Sequence, residues 1–262
     1  MNTEKNDRFT VPYTVYLHMT DKNGRCHAGD LLRLMQDCAT LQLEHLGPTM
    51  AEMRDAQRVF LLTRISIDIR HPFAPYESLY AQTWPCTSSR GAVFDRDFLL
   101  HTRNSSKEIS DAAVVGASQW ALLDTAHGKL LRVDDIGIPF AREEKVQTSI
   151  PLRFRIPKDL PLVCGGERTV RFTDIDRNGH MNNTRYADLF CDYLPQIAAG
   201  MRITAFAISY QKEARLGDVL RVMYTETPDE NGLLYVRTVR VGDGTVNMEA
   251  AIRLASDIPS DT

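Results

Sequence analysis

Apolar and polar positions alternate in short runs along most of the chain, and twice give way to a longer period of three to four residues. The first half opens on an alternating run from Tyr13 to His18, which predicts a strand, followed by a turn at Asp21-Lys22-Asn23-Gly24. Leu31, Leu34, Met35, Cys38, Leu41 and His45 then recur at helical spacing, and Gly47-Pro48 stops that helix. Strand-like runs follow at 60–69, 78–84, 93–103 and 113–123, with Pro72 and Pro75 breaking the chain between the first two.

The second half repeats this order. Residues 169–172 read as a short strand and Asp176 to Gly179 as a turn. Tyr186, Leu189, Phe190, Tyr193, Leu194 and Ile197 form a helical stripe ended by Pro195 and Gly200. Strands follow at 203–211, 219–225, 233–241 and 247–254. In both halves an apolar strand passes through a short irregular stretch into the next one: Ile67-Asp68-Ile69 leads to Ser78-Leu79, and Ile208-Ser209-Tyr210 leads to Val219-Leu220. Between the halves, 133–164 carries four prolines and mixed charge, which suggests a long connection rather than a core element. The unit is a long helix followed by about four antiparallel strands, present twice. A curved antiparallel sheet wrapped around its apolar helix satisfies that order.

Composition narrows the function classes. With 43% hydrophobic and 25% charged residues, 262 residues can bury a core without disulfides. Net charge is -3, and from Pro151 onward 14 basic residues face 15 acidic ones. No basic block points to nucleic acid. The five cysteines are widely spaced and none forms a C-x-x-C pair, as expected of reduced thiols in a cytoplasmic protein. Met1 to Phe9 lacks the apolar segment of a secretory signal, and no apolar run approaches the length of a membrane span.

Candidate chemistry concentrates at Asp174 to Asn183, just before the second helix. The segment holds two carboxylates, three Asn, a Gly and His180. A helix start offers unpaired backbone N–H groups, and with the dipole these suit a developing oxyanion. His180 is a candidate acid, base or donor near neutral pH. The same residue types also suit a plain Asx-rich turn capping a helix. Glu213, after the strand that ends at Gln211, is a candidate base, although a Glu between Lys212 and Arg215 is more often a solvated charge. The remaining histidines are scattered without metal-ligand spacing. No G-x-S-x-G elbow, phosphate-cradling glycine loop or other cofactor motif occurs.

Asp174 to Tyr186 resembles the signature of the acyl-acyl carrier protein thioesterases, roughly D-x-D-x-N-x-H-x-N-N-x-x-Y. Tyr210-Gln211-Lys212-Glu213-Ala214 looks like that family's Y-R-R-E-C segment, and Trp120 to Asp124 fits its first half. The resemblance runs from about Phe9 to about Leu254. A shorter core of the signature is shared with acyl-CoA thioesterases. The resemblance implies an α+β fold of two tandem hotdog domains: a non-catalytic acyl-binding half over 1–135, a linker over 136–164 and a catalytic half over 165–262. It implies Asp176, Asn178, His180 and Glu213 as the catalytic set, with Asn182 and Asn183 near the oxyanion. Leu34, Met35 and Cys38 are candidates for lining the acyl pocket. Ala214 replaces the family's frequent Cys, so attack by water is expected. The implied partner is acyl carrier protein, with Arg177, Arg185, Lys212 and Arg215 near its approach, and a homodimer through paired sheet edges is a further expectation. Hydrolysis of acyl-CoA and non-catalytic acyl-thioester binding stand as alternatives.

Overall fold

The computed structural model describes residues 8–87, 91–132, 135 and 141–256. The polar start of the chain, residues 1–7, and most of 133–140 at the start of the connection lie outside them. Chain order is β1 (Phe9–Thr14), α1 (Ala28–Leu46), α2 (Met50–Asp55), β2 (Arg58–Ile69), β3 (Ser78–Pro85), β4 (Phe94–Thr102), β5 (Val114–Asp124) and β6 (Lys129–Leu131). The second half follows with β7 (Val163–Thr169), α3 (Arg185–Tyr193), α4 (Pro195–Ala198), β8 (Arg202–Tyr210), β9 (Val219–Tyr224), β10 (Leu233–Arg240) and β11 (Val246–Ala255).

All these strands join one antiparallel sheet in the order β1-β3-β4-β5-β2-β8-β11-β10-β9-β7, with β6 beside β5. The halves merge where β2 pairs with β8. Leu31, Met35 and Cys38 of α1 and Leu189 and Phe190 of α3 share one apolar core with sheet residues such as Ile67, Phe98, Phe206 and Ile252. This is the expected tandem hotdog. No helix among the described residues is long and apolar enough to cross a membrane.

The repeat is visible atom by atom. Asp21 Oδ1 accepts from the backbone N–H groups of Asn23 (2.8 Å) and Arg25 (3.0 Å). Asp176 Oδ1 accepts in the same way from Asn178 (2.8 Å) and His180 (3.5 Å). Gly24 and Gly179, at φ +72° and +82°, make the left-handed step that each turn requires. Two residues past each glycine an N–H reaches across to the loop after the strand that follows the helices, from Cys26 to Phe73 O after β2 (2.9 Å) and from Met181 to Ala214 O after β8 (2.8 Å). The turns lie 155 positions apart, Asp21 to Asp176, whereas the loops lie 141 apart, Phe73 to Ala214. The first half therefore holds fourteen more residues between its turn and its first strand. The difference lies after Cys38, where the end of α1, the Gly47-Pro48 stop and α2, capped by Thr49 and Glu52 in a reciprocal capping box, stand in place of the short α4.

A pseudo-two-fold axis passes between equivalent residues. Ser66 pairs with Ala207, its own counterpart 141 positions on. Arg33 of α1 forms an ion pair with its counterpart Asp188 of α3, 155 positions on. The helices approach so closely there that a Cβ on Gly29 would lie 1.9 Å from Asp188 Oδ1.

Three expectations change. The first strands of both halves begin earlier than the alternation suggests, and Leu17–Met19 and Phe172–Asp174 are 3-10 turns. Pro12 is tolerated because β1 is an edge strand, and Gly165-Gly166 lie at a bulge in β7 packed under Tyr224 and Tyr193. Both of these edges are thus poor templates for pairing with another copy. The second helix is nine residues long rather than long, because Pro195 starts a separate turn. The connection is not a loose linker where it is described. Val146 and Ile150 are buried, and Phe154, Ile156 and Leu160 cover the sheet face opposite the helices. Asp97 accepts from Val146 N (2.7 Å), Ser66 donates to Ile150 O (2.6 Å), and Ser149 is held by Asp68 and by Arg253.

Candidate active site

The Asx turn before α3 and the loop after β8 meet at the site. The turn is closed by Asp176 N to His180 O (2.8 Å), and its 3-10 lead-in is anchored by buried Asp174, which accepts from Arg168 Nη2 (2.6 Å) and Arg171 N (2.9 Å). Asn247, fully buried on β11, donates to the carbonyls of Lys212 (3.2 Å) and Glu213 (3.3 Å) and so fixes the backbone that carries Glu213. The result brings His180 Nε2 to 3.0 Å from Glu213 Oε2, with the two side chains 24% and 51% exposed. A half-exposed carboxylate bonded to an imidazole at the surface can take a proton from a water that reaches it.

The frame and the chemistry separate when the halves are compared. Asp21, Asn23 and Gly24 repeat Asp176, Asn178 and Gly179, so that arrangement by itself makes only a turn. His180 and Glu213 are replaced in the first half by Arg25 and Pro72. Arg25 reaches Gly200 O at 3.2 Å and Asp21 at 3.4 Å. At this turn the His180–Glu213 pair is therefore what the second half has and the first lacks.

The backbone donors near the helix start are partly taken. Asn182 N–H donates to Asp174 O (2.8 Å), and Asn182 Oδ1 accepts from Thr184 N (2.9 Å) and Thr184 Oγ1 (2.8 Å). Asn182 thus holds the entry to α3, and its N–H is not available to an oxyanion. Asn183 N–H has no acceptor among the described residues, and its carbonyl is fixed by the Tyr210 hydroxyl (3.0 Å). Tyr210 is partly buried, and desolvation pushes its pKa well above the usual value, so it stays a neutral donor. Ala214 is fully buried with its carbonyl bound to Met181, so this position packs rather than reacts.

The turn that carries His180 borders a cleft of about 850 Å³, whose lining includes neither His180 nor Glu213. Asp176, Arg177, Asn178 and Asn183 form its second-half wall, and the rest comes from the first half. Much of that rest is the fourteen-residue extension: Ala39, Thr40, Leu43, Pro48, Met50 and Met53. Phe60, Phe94, Trp120 and Leu122 close it from the sheet side. Of the expected pocket residues, Leu34 and Cys38 are buried core side chains away from this lining, and Met35 borders only a small void toward Tyr210. They sit on the stretch of α1 that corresponds to α3, where the apolar face must fill the shared core. The sequence reading missed Asn247, Tyr210 and the cleft face of α1. An Asn among apolar residues at the start of β11 was the one visible signal for Asn247.

A tandem hotdog whose turn lines a cleft with Asp176 and Asn178, and carries His180 paired with Glu213, points to the thioesterases of that fold. Family models agree. The acyl-ACP thioesterase N-terminal domain matches residues 6–137 and the acyl-ACP thioesterase C-terminal domain matches 166–255. The chain belongs to the acyl-ACP thioesterase family. It is 22% identical over 205 residues to the chloroplastic acyl-[acyl-carrier-protein] hydrolase FATB3 of Cuphea viscosissima, a match covering 74% of this chain and 48% of that protein, so the chain spans about half the length of this curated relative. Its fold is similar to that of an acyl-ACP thioesterase from Bacteroides thetaiotaomicron (TM-score 0.73, 21% identity, 94% of this chain and 97% of that one). It is also similar to the 12:0-ACP thioesterase of Umbellularia californica (TM-score 0.77, 16% identity, 95% and 97%).

Proposed function

We propose that the protein hydrolyses fatty acyl thioesters of acyl carrier protein, releasing the free fatty acid and ending chain elongation. The observation that carries this reading is the 3.0 Å pair of His180 and Glu213, with His180 on the turn whose Asp176 and Asn178 line a largely apolar cleft. The first half, 1–135, holds the acyl chain, 136–164 links the halves, and 165–262 supplies the chemistry. Glu213, oriented by His180, takes a proton from water as its oxygen attacks the thioester carbonyl. The Asn183 N–H faces the developing oxyanion. The carbon–sulfur bond then breaks, and the proton passes to the departing sulfur to give the free thiol of the carrier. Asn178 and Asp176 hold the turn and border the bound thioester, while Asn182 holds the start of α3.

Carrier protein is acidic, and the cleft mouth carries exposed Arg177, with Lys212 and Arg215 exposed on the loop next to it. Arg185 is engaged inward, with Thr173 O and Asp188, and contributes less to such a surface. The reading takes this partner to be met in the cytoplasm. Comparing rates on one acyl chain carried by acyl carrier protein or by coenzyme A tests the carrier. Faster hydrolysis of the carrier-protein thioester is expected, and a preference for coenzyme A would replace the reading by its nearest alternative.

A further inference from the structure

Strand β4 begins Phe94-Asp95-Arg96-Asp97-Phe98, and strand alternation sends these residues to opposite faces. Asp95 and Asp97 face outward, to Lys145 Nζ (2.9 Å) and to Val146 N (2.7 Å). Phe94, Arg96 and Phe98 face the helices, where the pattern calls for apolar side chains. Arg96 is nonetheless a guanidinium, 9% exposed. Its Nη1 donates to Gln42 Oε1 (2.5 Å) and Thr83 Oγ1 (3.0 Å), both neutral. Among the described residues no carboxylate lies within ion-pair distance of it. Burial lowers its pKa to about 10, which leaves it charged at neutral pH. It lines the same cleft as Asp176 and Asn183, with three N–H donors that have no acceptor among the described residues.

A buried cation is retained only where something offsets its lost hydration. Gln42 and Thr83 do so in part, using one of the two terminal nitrogens. An all-hydrocarbon chain in the cleft would strip water from the other donors and return nothing. A chain bearing an oxygen would accept from them, and a planar guanidinium can hold a carboxylate with two parallel hydrogen bonds.

We infer that Arg96 is a specificity-determining residue and that the cleft takes acyl chains carrying a hydrogen-bond-accepting oxygen, as a hydroxyl, an oxo group or a second carboxylate. This rests on the proposed acyl-thioester reading and adds the chemistry of the chain. Gln42 acts as a positioning residue, holding the guanidinium against the cleft wall.

The test uses the full chain and acyl carrier protein thioesters of matched length: unsubstituted, hydroxylated, oxo-substituted and ω-carboxylated. The wild type is expected to favour one oxygenated class over the plain chain by about tenfold or more in kcat/KM, and Arg96→Met to lower that ratio by about tenfold. Which class is favoured identifies the oxygen. A wild-type preference for the plain chain, or a ratio that Arg96→Met leaves unchanged, overturns the inference. Thermal-shift titration of the wild type with the corresponding free acids gives a second readout that needs neither turnover nor the variant. Stronger stabilisation by the oxygenated acids with no hydrolysis of any thioester would sink the hydrolase reading and keep the subsite. Equal or weaker stabilisation by them would sink the subsite alone.

Discussion

At the scale of single residues, two positions distinguish the turn of the second half from its repeat in the first. The same Asx turn stands in both halves, but the second carries at its end an imidazole bonded to a carboxylate where the first carries Arg25. Glu213→Gln keeps the shape and removes the base, so kcat should fall by about a hundredfold or more while the melting temperature stays within a few degrees, as read by steady-state kinetics and a thermal scan. Asp176→Asn asks a different question, since its amide oxygen can still accept from Asn178 N. Retained folding with lost turnover would give the Asp176 charge a catalytic part, and near-wild-type turnover would confine it to holding the turn. The motif from Asp174 to Asn183 was legible in sequence because its residue types are dense and reactive. That His180 and Glu213 touch was not, because Asn247, whose side chain fixes the Glu213 backbone, lies on a strand 34 residues further along the chain. Arg96 was overlooked for a related reason: a charge among alternating residues looks solvated until the face it occupies is known.

At the scale of elements, the fourteen-residue extension of the first half makes the cleft. Periodicity located α1 and its stop at Gly47-Pro48, yet pointed to Leu34, Met35 and Cys38 as pocket residues. An apolar stripe marks the face that meets the core. The face lining the cleft, with Gln36, Ala39, Thr40 and Leu43, is mixed in character and carries no such mark. Helix α2 is six residues long, too short for a period to show, although its Thr49-x-x-Glu52 capping box was readable. Thr49 Oγ1 accepts from Glu52 N (3.2 Å), and Glu52 Oε2 accepts from Thr49 N (2.7 Å). Thr49→Ala should cost about 1 kcal/mol. Because α2 contributes Met50 and Met53 to the wall, KM for long acyl chains should rise more than for short ones. An equal change for both would mean that α2 does not contact the chain.

At the scale of the whole molecule, Arg33 and Asp188 occupy one position related by pseudo-symmetry, with opposite charges. A double-mutant cycle through Arg33→Ala and Asp188→Ala should show coupling on the order of 1 kcal/mol, measured by chemical denaturation; additive effects would reduce the pair to a surface contact. The strap across the outer face supplies a pH dependence. Burial raises Asp97 from the ordinary carboxylate range to about 6. A raised acid pKa means that the folded state favours the proton, so the contribution is present below about pH 4 and is lost as the pH rises through 6. The stability of Asp97→Asn relative to wild type should therefore climb between pH 4 and pH 8, by an amount up to the order of 3 kcal/mol. A difference that stays flat over that range would show that Asp97 does not titrate with folding.

The halves look separable in sequence, each with its own turn, helix and strands. The structure joins them where β2 meets β8, with Ser149 tied to both Asp68 and Arg253. Each half's central strand loses one of its two neighbours, and its helix part of its cover, if the other comes apart, because α1 and α3 share one core. The chain should then lose its structure in a single cooperative step, with calorimetric and van't Hoff enthalpies in agreement. Two heat-absorption peaks would mean that the seam at Ser66 and Ala207 is only a contact between neighbours. One peak would mean that the repeat, however clear in the residues, no longer exists as a unit of stability.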